Sequence, residues 1–254
     1  MIHPTAIVAE NAELGTNVKI GSFSIIEKNV KIGDNCIIGN NVTVACDTII
    51  GEKCKIFHSS SIGEVPQDLK YEGEKTFTKI GDNTVIREFV TINKGTSELG
   101  KTHIGSNVLL MASTHVAHDC LVEDNVIMSN LATLGGHVKI GKWAILGGGV
   151  LVHQFTKIGE HSLIGGGFRA VQDVPPFIIA ANHPLAYKGV NLVGLKRRGF
   201  SKQDRSLIKE VYKIFFRSGL NRNEAIKKIE LEFPKSKVIQ RILYFIKNSN
   251  RGII

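Results

Sequence analysis

The sequence predicts a mainly β fold, a parallel β-solenoid followed by a small α-helical domain, and three regularities carry that reading. An aliphatic residue recurs every six positions through most of the chain, glycine commonly follows it, and beyond Pro184 both patterns stop and helical spacing takes over. Three hexads to a turn would stack residues 18 apart on successive turns, separated by the ~4.8 Å spacing of paired strands. The composition agrees: with aromatics at 7% and 26 glycines among 254 residues, the chain is equipped to fill a narrow rod with layers of aliphatic side chains.

Taken in order, Ile2, Val8, Leu14, Ile20, Ile26, Ile32, Ile38, Val44, Ile50, Ile56 and Ile62 keep the period without a miss. Glycine follows at 15, 21, 33, 39, 51 and 63, and the fifth positions are small or β-branched, as at Val18, Ser24, Val30 and Cys36. The aliphatic residue is expected to point inward, with Gly, Asn or Asp supplying the positive φ angles of tight corners. Ile62 to Ile80 spans 18 residues, one full turn by count, yet its first positions are Asp68 and Glu74. Carboxylates cannot fill that core without a large desolvation cost. Residues 63–79 are therefore expected as a loop thrown out from a corner, and 94–103 as a second irregular stretch; loops on a monotonous scaffold are where specificity concentrates. Ile80, Ile86 and Ile92 resume the pattern, and Ile104, Leu110, Val116, Val122, Met128, Leu134, Ile140, Leu146, Val152, Ile158 and Ile164 complete it.

Gln172-Asp-Val-Pro-Pro176 breaks the repeat, which gives a solenoid domain over 1–185 and a helical domain over 186–254. Ser201 with Asp204 opens a helix carrying Leu207, Val211, Ile214 and Phe215 that stops at Gly219. Asn223 is placed to cap a second helix ending near Pro234, and Ser236 to Asn250 reads as a third.

Formal charge is +9, and its placement matters more than its size. From Ala186 onward 17 Lys and Arg face 5 Asp and Glu, a net of +12, which leaves the preceding residues at −3. Such a field attracts an acidic partner, whether nucleic acid, anionic headgroups or an acidic protein. No run approaches the ~18 apolar residues of a membrane span, and Met1 leads into the repeat without the regions of a secretion signal. A cytoplasmic location without stable membrane insertion is the expectation. Cys36, Cys46, Cys54 and Cys120 form no Cys-x-x-Cys pair; although Cys36 and Cys54 should stack, the four are read as reduced thiols packed as small hydrophobes.

The chemistry concentrates in His115-Val-Ala-His118-Asp119-Cys120. By the stacking rule His118 lies beneath Gly136 and beside His137, and the same column continues to Gln154, next to His153. His118, His137 and His153, with His115 close by, would gather on one edge of the rod. A lone histidine at a corner is ordinarily a hydrogen-bonded surface group, but four converging within two turns point to proton transfer, for which a neutral imidazole is suited near pH 7.

Five segments in order, Gly63-Glu-Val-Pro-Gln-Asp-Leu-Lys-Tyr71, His115 to Cys120, Val152-His-Gln-Phe155, Gln172 to Pro176 and Gly194-Leu-Lys-Arg-Arg-Gly-Phe200, together with the hexads, resemble the hexapeptide-repeat acyltransferases. Within them the similarity is to the UDP-N-acetylglucosamine O-acyltransferases that draw on acyl carrier protein, and it spans the chain. The resemblance implies a left-handed parallel β-helix and a homotrimer with sites in the clefts between neighbours. It implies transfer of an (R)-3-hydroxyacyl group from the phosphopantetheine thioester of acyl carrier protein to the sugar 3-hydroxyl, the opening step of lipid A biosynthesis. No metal is implied, and no cofactor beyond the donor's own phosphopantetheine. His118 matches the family's catalytic base, Asp119 its orienting neighbour and Gly136 its oxyanion donor. His115, His137 and His153, with Gln154 among the substrate positions, match groups that hold the sugar and the pantetheine arm. Gln67, Asp68 and Lys70 match a loop that reaches the nucleotide sugar. Asn191, Arg197 and Arg198 match contacts to the uridine, its phosphates and the carrier protein. Gly166 stands where acyl length is measured, and an open groove there favours a longer chain. Asn93 and Val193 depart from the histidine and glutamate of the best-known members, so the acceptor, the 3-hydroxy sugar or its 3-amino analogue, stays open.

Two rival readings share parts of this pattern. Stacked histidines on a hexapeptide trimer also serve zinc in γ-class carbonic anhydrases, but neither a basic helical domain nor the Pro66-to-Lys70 loop belongs to that pattern. A solenoid with a basic tail for RNA would need aromatics interleaved among the cations for base stacking, and the tail does not display them.

Overall fold

The computed structural model describes residues 1–233 and 236–254. Most hexads form a two-residue strand and a tight turn, and each strand pairs in parallel with the third one after it: Ile7 lies opposite Ile25, Ile127 opposite Ile145 and Thr133 opposite Leu151. Among the described residues this yields sheets of nine, eight and ten strands, the three faces of a prism. Face 1 contains Ser61–Glu64, Thr91–Asn93 and His115–Val116; face 2 contains Phe77–Ile80, Lys101–Ile104 and Leu121–Val122; face 3 contains Val85–Ile86, Leu109–Leu110 and Ile127–Met128.

The first residue of each hexad points inward onto its copies above and below, and Ile26, Val44, Ile62, Ile92, Val116 and Leu134 are each 0–1% exposed. The fifth residue also turns inward, and at several turns its polar atom finds a carbonyl. Ser24, Ser60 and Thr84 donate to Gly39, Arg87 and Gly105 oxygens at 2.7, 2.8 and 2.9 Å. Cys36, Cys54 and Cys120 do the same toward Gly51, Gly81 and Gly135 at 3.0 to 3.2 Å. Where that bond is made, Ser, Thr and Cys can share this position with Val, because a small group so satisfied costs little to bury; the buried hydroxyls of Thr48, Thr114 and Thr156 have no such partner. The cysteines are free thiols.

The corners divide their work differently from the expectation. The left-handed residue is the fourth of the hexad, as at Asn17, Asn29, Asn35 and Asn41 (φ 54–60°), Asp119 (58°) and His137 (61°). Glycine at the second position is needed instead for close approach: a Cβ on Gly33 would fall 2.8 Å from the Gly51 carbonyl carbon of the next turn.

Each insertion interrupts one corner. Ile80 pairs with Ile50 and Ile92 with Ile62, so the gap from Ile62 to Ile80 is a single hexad step lengthened by twelve residues and not a full turn. Ile92 to Ile104 is likewise one step lengthened by six. Strands take up the ends of both stretches. Ser61–Glu64 and Phe77–Ile80 flank a loop over 65–76, and Lys101–Ile104 pairs with Phe77–Ile80, shortening the second loop to 94–100. Both loops leave from the edge between faces 1 and 2.

Ile178–Ala181 extends face 3, and Ala186–Val190, which the sequence pattern does not announce, returns antiparallel beside it. Among the described residues four helices follow: α1 (Leu192–Arg197), α2 (Lys202–Arg217), α3 (Arg222–Glu232) and α4 (Lys237–Lys247). Ser201 caps α2 by accepting from Asp204 N–H. The cap of α3 is Asn221 and not Asn223: Asn221 and Glu224 exchange side chain-to-backbone bonds, whereas the residue three beyond Asn223 is Ile226, which has no acceptor to offer. Pro234 lies outside the described residues. Tyr212 of α2, fully buried, donates to Pro176 O at 2.6 Å and ties the helices to the prism. Among the described residues no helix is long and apolar enough to cross a membrane.

Candidate active site

His118 and Asp119 are the third and fourth residues of a hexad on the edge between faces 1 and 2, and His118 Nδ1 lies 2.8 Å from Asp119 Oδ2. Thr96 closes on that carboxylate, its N–H 3.0 and 3.1 Å from the two oxygens and its hydroxyl 2.7 Å from Oδ2. Thr102 Oγ1 accepts from Asp119 N–H at 2.9 Å. The Asp119 side chain is fully buried and that of His118 is 13% exposed. A carboxylate against Nδ1 favours the ring proton there and leaves Nε2 with a lone pair chemically able to accept a proton. Across the ring sits Gly136, one turn up, where a Cβ would fall 2.6 Å from Cε1 and Nε2. Glycine is required because the imidazole occupies the space of its side chain.

His137 donates its N–H to His118 O at 3.1 Å and meets the His118 ring edge-on with centroids 5.1 Å apart. It stacks on Phe155 of the next turn at 4.5 Å, and its Nε2 faces Glu98 at 3.5 Å and Asp119 at 3.7 Å. His115, outward on face 1, shares a 2.8 Å hydrogen bond with Thr91 Oγ1. Burial, and then the neighbouring His118, hold its pKa below the usual histidine value, so it is neutral at pH 7. His153 lies two turns above Ala117 on the same edge, its Nδ1 3.1 Å from both Arg251 Nη2 and the Gln154 carbonyl. The Gln154 side chain is exposed.

Loop 65–76 rises from this edge with Gln67 and Lys70 exposed; Asp68 Oδ1 accepts from Lys70 N–H at 3.0 Å, and Leu69 stands entirely in solvent. Asn93, buried at the base, donates to Val65 O at 2.8 Å, and Val193 is exposed. The other predicted residues are elsewhere. Gly166 is on the edge between faces 3 and 1, in a glycine triplet stacked on Gly147 to Gly149, and a Cβ there would come 3.1 Å from Gly148 O. Asn191, Arg197 and Arg198 belong to the edge between faces 2 and 3. Asn191 caps α1, accepting from Gly194 N–H at 3.1 Å and donating to His161 O at 3.0 Å, so both ends of its amide are engaged internally. Arg198 lies over the Trp143 ring at 5.1 Å with Nη1 3.4 Å from His161 Nδ1, and Arg197 is exposed. Within one chain the predicted residues thus occupy three separate edges.

Donor atoms of His118, Asp119 and His137 fall within 4.8 Å of one another, a metal-like grouping. Within it, His118 Nδ1 and Asp119 Oδ2 face each other directly at 2.8 Å, and Thr96 holds the carboxylate from the other side. Sequence reasoning passes over Thr96, Glu98, Phe155 and Arg251, since a loop and the chain's tail deliver three of them. Strand pairing shows that Ile62, Ile92 and Val116 hold the same place on the turn, so both insertions open onto the histidine edge, which the six-residue count alone does not reveal.

Residues 173–254 match a family model described as Udp N-acetylglucosamine O-acyltransferase, Domain 2. The acyl-acyl-carrier-protein–UDP-N-acetylglucosamine O-acyltransferase of Thiobacillus denitrificans is 53% identical over 254 residues, which cover 100% of this chain and 98% of that one. The protein of the same name from Aliarcobacter butzleri is 47% identical over 253 residues, covering 99% and 97%. Among solved structures, the UDP-N-acetylglucosamine acyltransferase of Bacteroides fragilis superposes with a TM-score of 0.98 at 45% identity over 100% of both chains. The Arabidopsis enzyme does so at 0.86 and 32%, over 100% of this chain and 99% of that one. With a left-handed parallel β-helix and identity of this order along its whole length, the chain is an acyltransferase and belongs to the UDP-N-acetylglucosamine O-acyltransferase family.

Proposed function

We propose that the protein transfers a 3-hydroxyacyl group from acyl carrier protein to the 3-hydroxyl of UDP-N-acetylglucosamine, the first step of lipid A biosynthesis, in the cytoplasm and with His118 as general base. The observation that carries the reading is the His118–Asp119 pair with Nε2 set against Gly136. An alcohol is a poor nucleophile at neutral pH, so Nε2 takes its proton as the sugar oxygen bonds to the thioester carbon. The carbonyl electrons move to oxygen, and the Gly136 N–H donates to that oxyanion, an interaction of a kind that contributes ~3 kcal/mol. Collapse breaks the C–S bond, and the imidazolium returns its proton to the departing thiolate. Asp119 stabilises the imidazolium in between.

Gln67, Asp68 and Lys70 reach the nucleotide sugar, His115, His137, His153 and Gln154 hold sugar and pantetheine, and the glycine groove at Gly166 takes the acyl chain. Arg197, Arg198 and the Asn191 cap serve the uridine diphosphate and the carrier. Because these groups lie on three edges, the active form is a homotrimer of parallel prisms in which edges of neighbouring copies close on one another. Two features support this assembly. Face 3 carries an outward apolar ladder of Val85, Leu109, Ile127, Ile145, Leu163 and Ile179, and Leu69 projects bare from its loop. The +12 terminal segment suits an acidic protein donor.

The test is incubation with acyl carrier proteins bearing 3-hydroxyacyl groups of several lengths and with either the 3-hydroxy or the 3-amino nucleotide sugar, the second acceptor being offered because Asn93 replaces the family's histidine. Product is expected from the wild type, with a loss of at least ~100-fold in His118→Ala. Undiminished turnover by the variant would remove His118 from the role of base.

A further inference from the structure

The six residues that lengthen the second interrupted corner bring one side chain into the dyad. Thr96 is 8% exposed. Its N–H bridges both oxygens of Asp119, and its hydroxyl lies 2.7 Å from Oδ2. The same hydroxyl accepts from Glu98 N–H at 3.3 Å, which leaves its one proton for the carboxylate. The loop is braced around this contact: Ser97 N–H donates to Glu74 Oε1 at 3.0 Å, Lys94 Nζ to Cys46 O at 3.0 Å, and Gly100 N–H to Thr96 O at 2.8 Å. The solenoid itself does not need the insertion, since most of its corners pass in a single hexad.

Oδ2 of Asp119 thus stands between Thr96, which reaches it through its hydroxyl and its N–H, and His118 Nδ1–H. A carboxylate that shares its charge with Thr96 keeps the imidazole oriented while drawing less strongly on the ring proton. We infer that Thr96 is a positioning residue of the acyl transfer, fixing the orientation and charge of Asp119 and through it the tautomer and basicity of His118. It acts through Asp119 and touches neither donor nor acceptor. The inference rests on the reading of His118 as the base.

Thr96→Val keeps the shape and the N–H bonds and removes the hydroxyl, whereas Thr96→Ser keeps the hydroxyl. In Thr96→Val, kcat is expected to fall about tenfold, with KM for the nucleotide sugar within about twofold of wild type. The acid limb of the pH–rate profile moves to higher pH, because a carboxylate deprived of a donor holds the imidazolium proton more tightly. Thr96→Ser restores both. Should Thr96→Val not fold, Thr96→Ala is read in the same way. Wild-type kcat and pH profile in Thr96→Val, alongside an inactive His118→Ala, would overturn the inference and leave the base in place; full activity in both would remove the base as well. A loss of kcat shared equally by Thr96→Ser, with no movement of the pH profile, would also overturn it, since that is the mark of a loosened loop.

Discussion

His161 and His118 are both corner histidines, and their surroundings make them different reagents. His118 has a carboxylate on Nδ1 and a bare glycine at Nε2. His161 is 4% exposed, stacked between Trp143 and Phe177, and its pKa is pushed down to about 3 by burial first and by Arg198, Arg241 and Lys142 after it. It is a neutral acceptor for Arg198. An unfolded histidine titrates near ~6.5, so between these values only the unfolded chain takes the proton. The stability this residue supplies is fully present above about pH 6.5 and is lost as pH falls through that window. The melting temperature should therefore drop on acidification from neutral pH, and the drop should be shallower in His161→Asn; equal slopes for the two proteins would show that His161 does not titrate in this way. Of the two sites, the one at His118 was legible in the sequence, because a fixed step count places Gly136 and His137 over it. The partners of His161 and the Thr96 clamp were not, since they come from non-repeating segments whose path no period dictates.

At the scale of elements, two-residue strands are too short to be recognised singly, and they become readable because the same inward aliphatic position repeats. The reason for the glycines was not readable in that way. Their place beside the buried residue suggests a left-handed corner, whereas the structure takes that conformation at the fourth position, with Asn, Asp, His and other residues, and uses the second-position glycine for contact with the next turn. The insertions show the same limit: Ile62 to Ile80 equals a full turn by count, and only the pairing of Ile80 with Ile50 reveals a lengthened corner. That distinction has a testable consequence. Deleting residues 95–100 restores the ordinary six-residue step from Ile92 to Ile104 and should leave a β-rich, cooperatively melting protein, while removing Thr96 and Glu98 should lower turnover by ~100-fold or more. Circular dichroism with thermal melting and the acyl-transfer assay check both halves. An active deletion variant would mean that the loop does not serve the dyad, and an unfolded one that the solenoid depends on it.

For the whole molecule, hexads assign solenoid residues after the insertions to a face and an edge by counting, and in that sense the separation of the His118 edge from the Gly166 edge is contained in the sequence. The register of the helical segment is not, so the approach of Arg198 to His161 required the structure. Nor does one chain declare what covers the ladder from Val85 to Ile179. The central claim is that proton transfer from one copy and nucleotide recognition from another meet between prisms. It is tested most directly by mixing two weakened chains, His118→Ala and Arg198→Ala, by co-expression or by refolding together. Each alone should have strongly reduced acyl transfer at low nucleotide-sugar concentration. In mixed assemblies roughly one site in four pairs an intact His118 edge with an intact Arg198 edge, so activity should recover toward that fraction of the wild type. Activity of the mixture no greater than the mean of the separate variants would contradict a site shared between copies.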